Sequence, residues 1–205
     1  MNTEIAKILL DIEAVHLKPD DFFTWTSGTK SPIYCDNRQI ISYPKYRRLV
    51  VDYFIDFINK NHPEVELIAG TATAGIPWAS WISEQLGLPM IYIRSSSKGY
   101  GLKNCIEGKA TSKQKTLIIE DLISTGKSSV AAANEAKAAG LEVINILSIF
   151  TYGFNKASQF IKDNDYTFHS LCELSSLVDY SLNQGLLTTD QVDIINKWKN
   201  SIENT

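Results

Sequence analysis

Cysteine, clustered histidine and surplus charge are all scarce in this chain. Of its 205 residues only three are cysteine. Cys35, Cys105 and Cys172 lie far apart and make no C-x-x-C pair, so the sequence gives no sign of a disulfide framework and suits a reducing, cytoplasmic setting. His16, His62 and His169 are equally isolated and lack the spacing of zinc ligands. The formal net charge is −3, from 20 Lys+Arg against 23 Asp+Glu, which supplies no basic field for nucleic acid or an anionic membrane. Any anionic ligand must therefore be held by a local site. No apolar run approaches the roughly 20 residues of a membrane span, and Met1-Asn2-Thr3-Glu4 lacks the basic-then-apolar pattern of an export leader.

What is present is ordinary for a globular protein: 44% hydrophobic and 21% charged residues. A chain of this length buries roughly 70% of its unfolded surface and needs no metal or disulfide to fold. The expectation is a single domain over 1–205.

Hydrophobic spacing then divides the chain. Ile5, Ile8, Leu9, Ile12 and Val15 recur at helical intervals, predicting a helix over 5–15. Residues 22–41 are rich in Thr, Ser, Gly and Pro and read as a loop or hairpin with short strands. Pro44 suits a helix start, and Leu49, Val50, Tyr53, Phe54, Phe57 and Ile58 give that helix an apolar face up to Asn61. From there strands (65–70, 89–94, 116–120, 142–150, 166–172) alternate with helices (75–86, 127–139, 155–162, 188–199). That alternation predicts an α/β fold, a parallel twisted sheet flanked by helices. The polar stretch 95–115 interrupts it, being far longer than the usual four to six residue connection, as lids and binding loops are.

The most informative segment runs Leu117-Ile118-Ile119-Glu120-Asp121-Leu122-Ile123-Ser124-Thr125-Gly126-Lys127-Ser128-Ser129. It puts two carboxylates at the C-terminal end of a buried strand, where open α/β sheets bind ligands. A hydroxyl-rich loop and a helix start follow, able to offer N–H groups to a phosphate. Gly126-Lys127-Ser128 also resembles part of a nucleotide P-loop, but that motif needs glycine where Asp121 stands. A plainer alternative is that Glu120 and Asp121 only cap a turn.

The same segment resembles the phosphoribosyl-diphosphate signature of the type I phosphoribosyltransferases. Three more segments resemble their orotate-specific branch: Phe23 to Arg38, Gly70-Thr71-Ala72-Thr73-Ala74-Gly75-Ile76-Pro77, and Tyr92-Ile93-Arg94 through Ile106-Glu107-Gly108. The resemblance implies transfer of a ribose 5-phosphate group from phosphoribosyl diphosphate to orotate, with Mg²⁺, in a homodimer whose mobile loop is shared across the interface. It implies a core over about 43–152 and a small hood from 1–42 and 153–205.

By the same resemblance, Glu120 and Asp121 hold the ribose hydroxyls, and Leu122, Ile123, Ser124, Thr125, Gly126, Lys127 and Ser128 cradle the 5′-phosphate. Thr71, Ala72 and Thr73 face the pyrophosphate, around a cis peptide near Ala72-Thr73. Arg94, the catalytic Lys98 and Tyr100, which stands where the family usually has His, belong to the lid. For orotate, the expectation is Ser27, Gly28, Ser124, a packed Tyr34, and Arg38 for the carboxylate. The alternative for Arg38 is a local pair with Asp36. A purine-specific relative would share residues 120–128 but should lack the 23–38 segment. A non-catalytic regulator on this fold would need a DNA-binding module, for which 205 residues leave no room.

Overall fold

The computed structural model describes residues 3–25, 28–95 and 105–203. The chain opens with α1 (Thr3–Asp11), then four short strands, β1 (Val15–Leu17), β2 (Phe23–Thr24), β3 (Lys30–Ser31) and β4 (Ile33–Cys35). These pair antiparallel as β1 with β4 and β2 with β3. A 3-10 helix (Asn37–Ser42) and α2 (Pro44–Asn61) lead into the alternating part. There β5 (Leu67–Thr71), α3 (Gly75–Leu86), β6 (Met90–Ile93), β7 (Ile106–Glu107), β8 (Lys115–Ile123), α4 (Lys127–Ala138), β9 (Glu142–Thr151), α5 (Asn155–Asp163) and β10 (Phe168–Glu173) follow one another. Two helices, α6 (Leu174–Asn183) and α7 (Thr189–Glu203), close the described chain.

Six strands form one sheet in the order β10-β9-β8-β5-β6-β7. All neighbours run parallel except β7, which pairs antiparallel with β6 at the edge. Leu117, Ile118 and Ile119 of β8 have no exposed surface, as an interior parallel strand requires. Their alternation builds two cores. Leu117 and Ile119 face Ile68, Trp78, Ala79 and Ile82, whereas Ile118 faces Val130, Ala133 and Ala136 of α4 and Ile161 of α5. Gly70 lets α3 lie close on β5, because a Cβ there would sit 2.9 Å from Ala79 Cβ.

Both ends of the chain meet on one side of this sheet. Trp198 of α7 donates its indole N–H to Lys30 O at 2.8 Å and meets Trp25 edge-on at 5.8 Å. Buried Trp78 and half-buried Trp81 of α3 are edge-to-face at 5.3 Å, and Arg47 lies over Trp81.

Several boundaries differ from the sequence reading. The first helix stops at Asp11, since Glu13 adopts φ 56° and turns the chain, so Val15 keeps its buried place from β1 instead. The helix α6 was not expected. It follows β10 with no Gly or Pro between, although Leu174, Leu177, Val178 and Ser181 carry the buried stripe. Within 95–115, Ile106 and Glu107 form the edge strand β7, and β8 continues through the acid pair to Ile123. Among the described residues, no helix is long and apolar enough to cross a membrane.

Candidate active site

The site forms where β5, β6 and β8 end and two turns begin. Beyond Ile119, β8 loses its pairing with β5 but stays paired with β9 through Glu120, Leu122 and Ile123. Glu120 is 6% exposed, which is unusual for a carboxylate. Its Oε2 accepts from Thr71 Oγ1 at 2.6 Å and its Oε1 from Ser129 Oγ at 3.2 Å. Burial still dominates. It pushes the Glu120 pKa up to about 7, with the hydroxyls of Thr71, Ser129 and Ser128 pulling the other way. Burial raises Asp121 as well, partly offset by its own N–H and that of Leu122.

The turn after β5 is shaped by Thr71 and Gly75. The Ala72–Thr73 peptide is cis, as the resemblance implied, and Ala72 N–H donates to Ile93 O at 2.8 Å. Gly75 admits no side chain, since a Cβ would strike Ile119 O and stand 2.6 Å from Thr71 Oγ1. Facing this turn, Gly126 caps α4 with φ 77° and packs against Ile161.

Between the two turns lies a cavity of about 560 Å³. Of the expected donor-site residues it brings together Thr71, Ala72, Thr73, Arg94, Glu120, Asp121, Leu122, Lys127 and Ser128. Arg94 reaches it from the end of β6, its Nε 3.2 Å from Glu107 Oε1 on β7. Ile123 is buried in the core and gives only main chain, its carbonyl accepting from Thr151 Oγ1 at 2.9 Å. Thr125 lines a separate small cavity beside Phe154 and Phe160, and Gly126 lines neither.

A second cavity of about 330 Å³ adjoins the first across Leu122 and is lined by Trp25, Tyr34, Cys35, Arg38, Leu122, Ser124 and Tyr152. It therefore gathers Tyr34, Arg38 and Ser124 as expected. Gly28 does not reach it and sits in the β2–β3 turn, donating to Trp25 O. Arg38 also makes the local pair weighed above. Its Nε and Nη2 lie 2.6 and 3.0 Å from the two Asp36 oxygens, and that guanidinium holds the Asp36 carboxyl below its ordinary pKa. Ser27, Lys98 and Tyr100 lie outside the described residues.

Sequence reasoning assigned no role to Ser129, Asn37, Trp25 or Tyr152. Ser129 was findable as a hydroxyl next to Ser128 on a helix start. The two aromatics gave no local signal. Among the described residues, no group of three or more His, Cys, Asp or Glu could hold a metal ion.

No family model matches the chain. It is 48% identical over 202 residues to the orotate phosphoribosyltransferase of Staphylococcus aureus (strain MSSA476), covering 98% of this chain and all of that one. Among solved structures it superposes on Aeropyrum pernix orotate phosphoribosyltransferase with a TM-score of 0.78 at 22% identity, covering 90% of this chain and 99% of that one. It also superposes on Leishmania donovani UMP synthase with a TM-score of 0.81 at 31% identity, covering 97% of this chain but 42% of that longer one. With full-length identity near one half and the type I phosphoribosyltransferase fold in place, the chain belongs to the orotate phosphoribosyltransferases, pentosyltransferases of pyrimidine biosynthesis.

Proposed function

We propose that the two adjoining cavities hold the two substrates of one transfer, phosphoribosyl diphosphate at the end of β8 and orotate across Leu122. The observation that carries this reading is the acid pair on β8, Glu120 buried and Asp121 half-buried, with a hydroxyl loop behind it and a base-sized cavity sharing its wall. Glu120 and Asp121 accept from the ribose hydroxyls. The N–H groups at the start of α4, with Ser128, take the 5′-phosphate, aided by the helix dipole. Thr71, Ala72 and Thr73 face the pyrophosphate.

In the reaction, N1 of orotate bonds to ribose C1 while the C1–O bond breaks, its electrons leave with pyrophosphate, and N1 gives up its proton. Positive charge grows at C1 and negative charge on the leaving group, so pre-placed charges act most strongly in the transition state. Arg94 and Lys98 supply the cations, and the family's lid, to which Lys98 belongs by resemblance, excludes water. Arg38 meets the orotate carboxylate, Ser124, Ser27 and Gly28 add hydrogen bonds, and Tyr34 packs on the ring. By resemblance, Tyr100 takes the sequence position of the family's histidine.

The donor set around the acids fits Mg²⁺ only as a companion of the donor. Both Glu120 oxygens are engaged by hydroxyls, and among the described residues no carboxylate cage surrounds them. Mg²⁺ would be held mainly by the donor itself and would supply neutralisation of charge on the pyrophosphate, while Asp121 accepts from the ribose hydroxyls. Residues 43–152 serve as the core, and 1–42 with 153–205 as the hood over the base. The family's shared lid supports a homodimer as the working unit, and the scattered, unpaired cysteines suit the cytoplasm.

The test separates binding from chemistry. Asp121→Asn should weaken donor binding by calorimetry about tenfold, the scale of a charge-assisted hydrogen bond. Lys98→Ala should lower kcat far more than it weakens the donor. Donor affinity unchanged in the first variant, or equal losses in the second, would overturn these assignments.

A further inference from the structure

We infer that Asn37 is a positioning residue that fixes the base cavity relative to the ribose acids, oriented for this by Cys35. The inference rests on the assignment of the two cavities above. Asn37 is 1% exposed and stands between Asp36 and Arg38, at the start of the 3-10 helix beside the base cavity. Its Nδ2 donates to the main-chain oxygen of Asp121 at 2.7 Å, a residue 84 positions away. Its Oδ1 accepts from Cys35 Sγ at 3.2 Å, and Cys35 itself lines the base cavity. A continuous path therefore runs from the wall of one substrate cavity, through Cys35 and Asn37, to the main chain that carries the other cavity's acid.

Three features make this path specific. First, the ladder between β5 and β8 ends at Gly70 and Ile119, and the recorded β9 pairs are Glu120 with Ser148 and Leu122 with Phe150. At Asp121 a side chain from outside the sheet supplies the donor. Second, the amide uses its N–H₂ and its oxygen on different partners, so only one orientation satisfies both. Third, burial raises the Cys35 thiol well above its ordinary pKa, so it keeps the proton it donates. The segment that shapes the base cavity is thus tied to the acid-bearing strand at the main chain of Asp121 itself.

Transfer requires N1 and C1 to meet in line, and an error of about 1 Å in such an approach costs roughly a hundredfold in rate. A residue that sets one substrate against the other acts on kcat. It leaves the affinity for each substrate alone in place. That split distinguishes positioning from simple support of the fold, whose loss weakens orotate binding and thermal stability together.

The experiment compares Asn37→Ala and Asn37→Asp in the full-length protein. Donor and orotate affinities are measured separately by calorimetry, and kcat by orotate consumption. We expect kcat to fall about 10- to 100-fold in both, with each dissociation constant within about threefold of wild type. Asn37→Asp is isosteric and keeps the acceptor for Cys35, so it carries the test if the alanine variant unfolds. Its carboxyl regains a donor for Asp121 O only when protonated, so its kcat relative to wild type should recover as pH falls. Asp36, Cys35, Glu120 and Asp121 titrate near this spot while Arg38 stays charged, so the same ratio is taken for Asn37→Ala, which adds no charge, and the recovery counts where Asn37→Asp shows it and Asn37→Ala does not. Losses in kcat no larger than those in affinity, or a ratio that stays flat with pH, would overturn the role of Asn37. The Asp121→Asn control keeps the two failures apart. If it binds donor normally, the cavity assignment has failed; if it binds weakly while the Asn37 variants turn over normally, only this inference has.

Discussion

Replacing Glu120 with glutamine should make the free protein more stable above neutral pH while weakening its hold on the donor. The carboxyl is 6% exposed, and burial lifts its pKa from 4.5 to about 7 despite the hydroxyls around it. A folded-state pKa above the unfolded one means the folded form binds the proton more tightly. The contribution to stability is then full below about pH 4.5 and lost as pH climbs through about 7. The gap corresponds to about 3 kcal/mol, at roughly 1.4 kcal/mol for each tenfold in the equilibrium. Glutamine has the same shape and no charge to desolvate. The variant should match wild type near pH 5 and exceed it by about 3 kcal/mol near pH 8, a rise in Tm of roughly 6–12 °C for a chain of this size. Urea unfolding followed by tryptophan fluorescence across that pH range measures the difference, provided the m-values agree. A wild-type-to-variant difference that stays flat with pH would refute the reasoning. The same substitution should weaken donor binding, the usual conflict between stability and a charged site.

Two other substitutions probe the surroundings. Gly75→Ala should cost about 1–3 kcal/mol, because its methyl would strike Ile119 O and crowd Thr71 Oγ1, which bonds Glu120. A wild-type urea midpoint would contradict that packing. Arg38→Ala should weaken orotate about tenfold or more, the scale of a charge-assisted hydrogen bond, and leave donor affinity unchanged. Its stability should shift by less than about 1 kcal/mol, since the pair with Asp36 is exposed on the arginine side. Unchanged orotate affinity in calorimetry would remove Arg38 from the base site.

The strand-helix alternation was legible because burial on both faces of β8 leaves a run such as Leu117-Ile118-Ile119 with no polar break. The acid pair was legible because its position at a strand end, before a hydroxyl-rich turn, is a local pattern. Partnerships across the chain were not. Thr71 meets Glu120 over 49 residues of separation and Asn37 meets Asp121 over 84, and neither bond leaves a trace in local spacing. Tertiary structure also overrode local pattern at Glu13. There a turn replaced the last helical residues while Val15 stayed buried, so periodicity alone placed the side chain correctly and the backbone wrongly. The helix α6 was obscured because β10 runs into it without a breaker, leaving two periods abutting at Glu173 and Leu174.

The central claim is that the acid pair of β8 and the cavity across Leu122 carry out one transfer between phosphoribosyl diphosphate and orotate. The most direct measurement mixes the protein with both compounds and Mg²⁺ and follows the ultraviolet absorbance of orotate alongside released pyrophosphate. Orotate should disappear in step with pyrophosphate, and Asp121→Asn should slow both together. An unchanged orotate spectrum, with a purine base consumed in its place, would contradict the account.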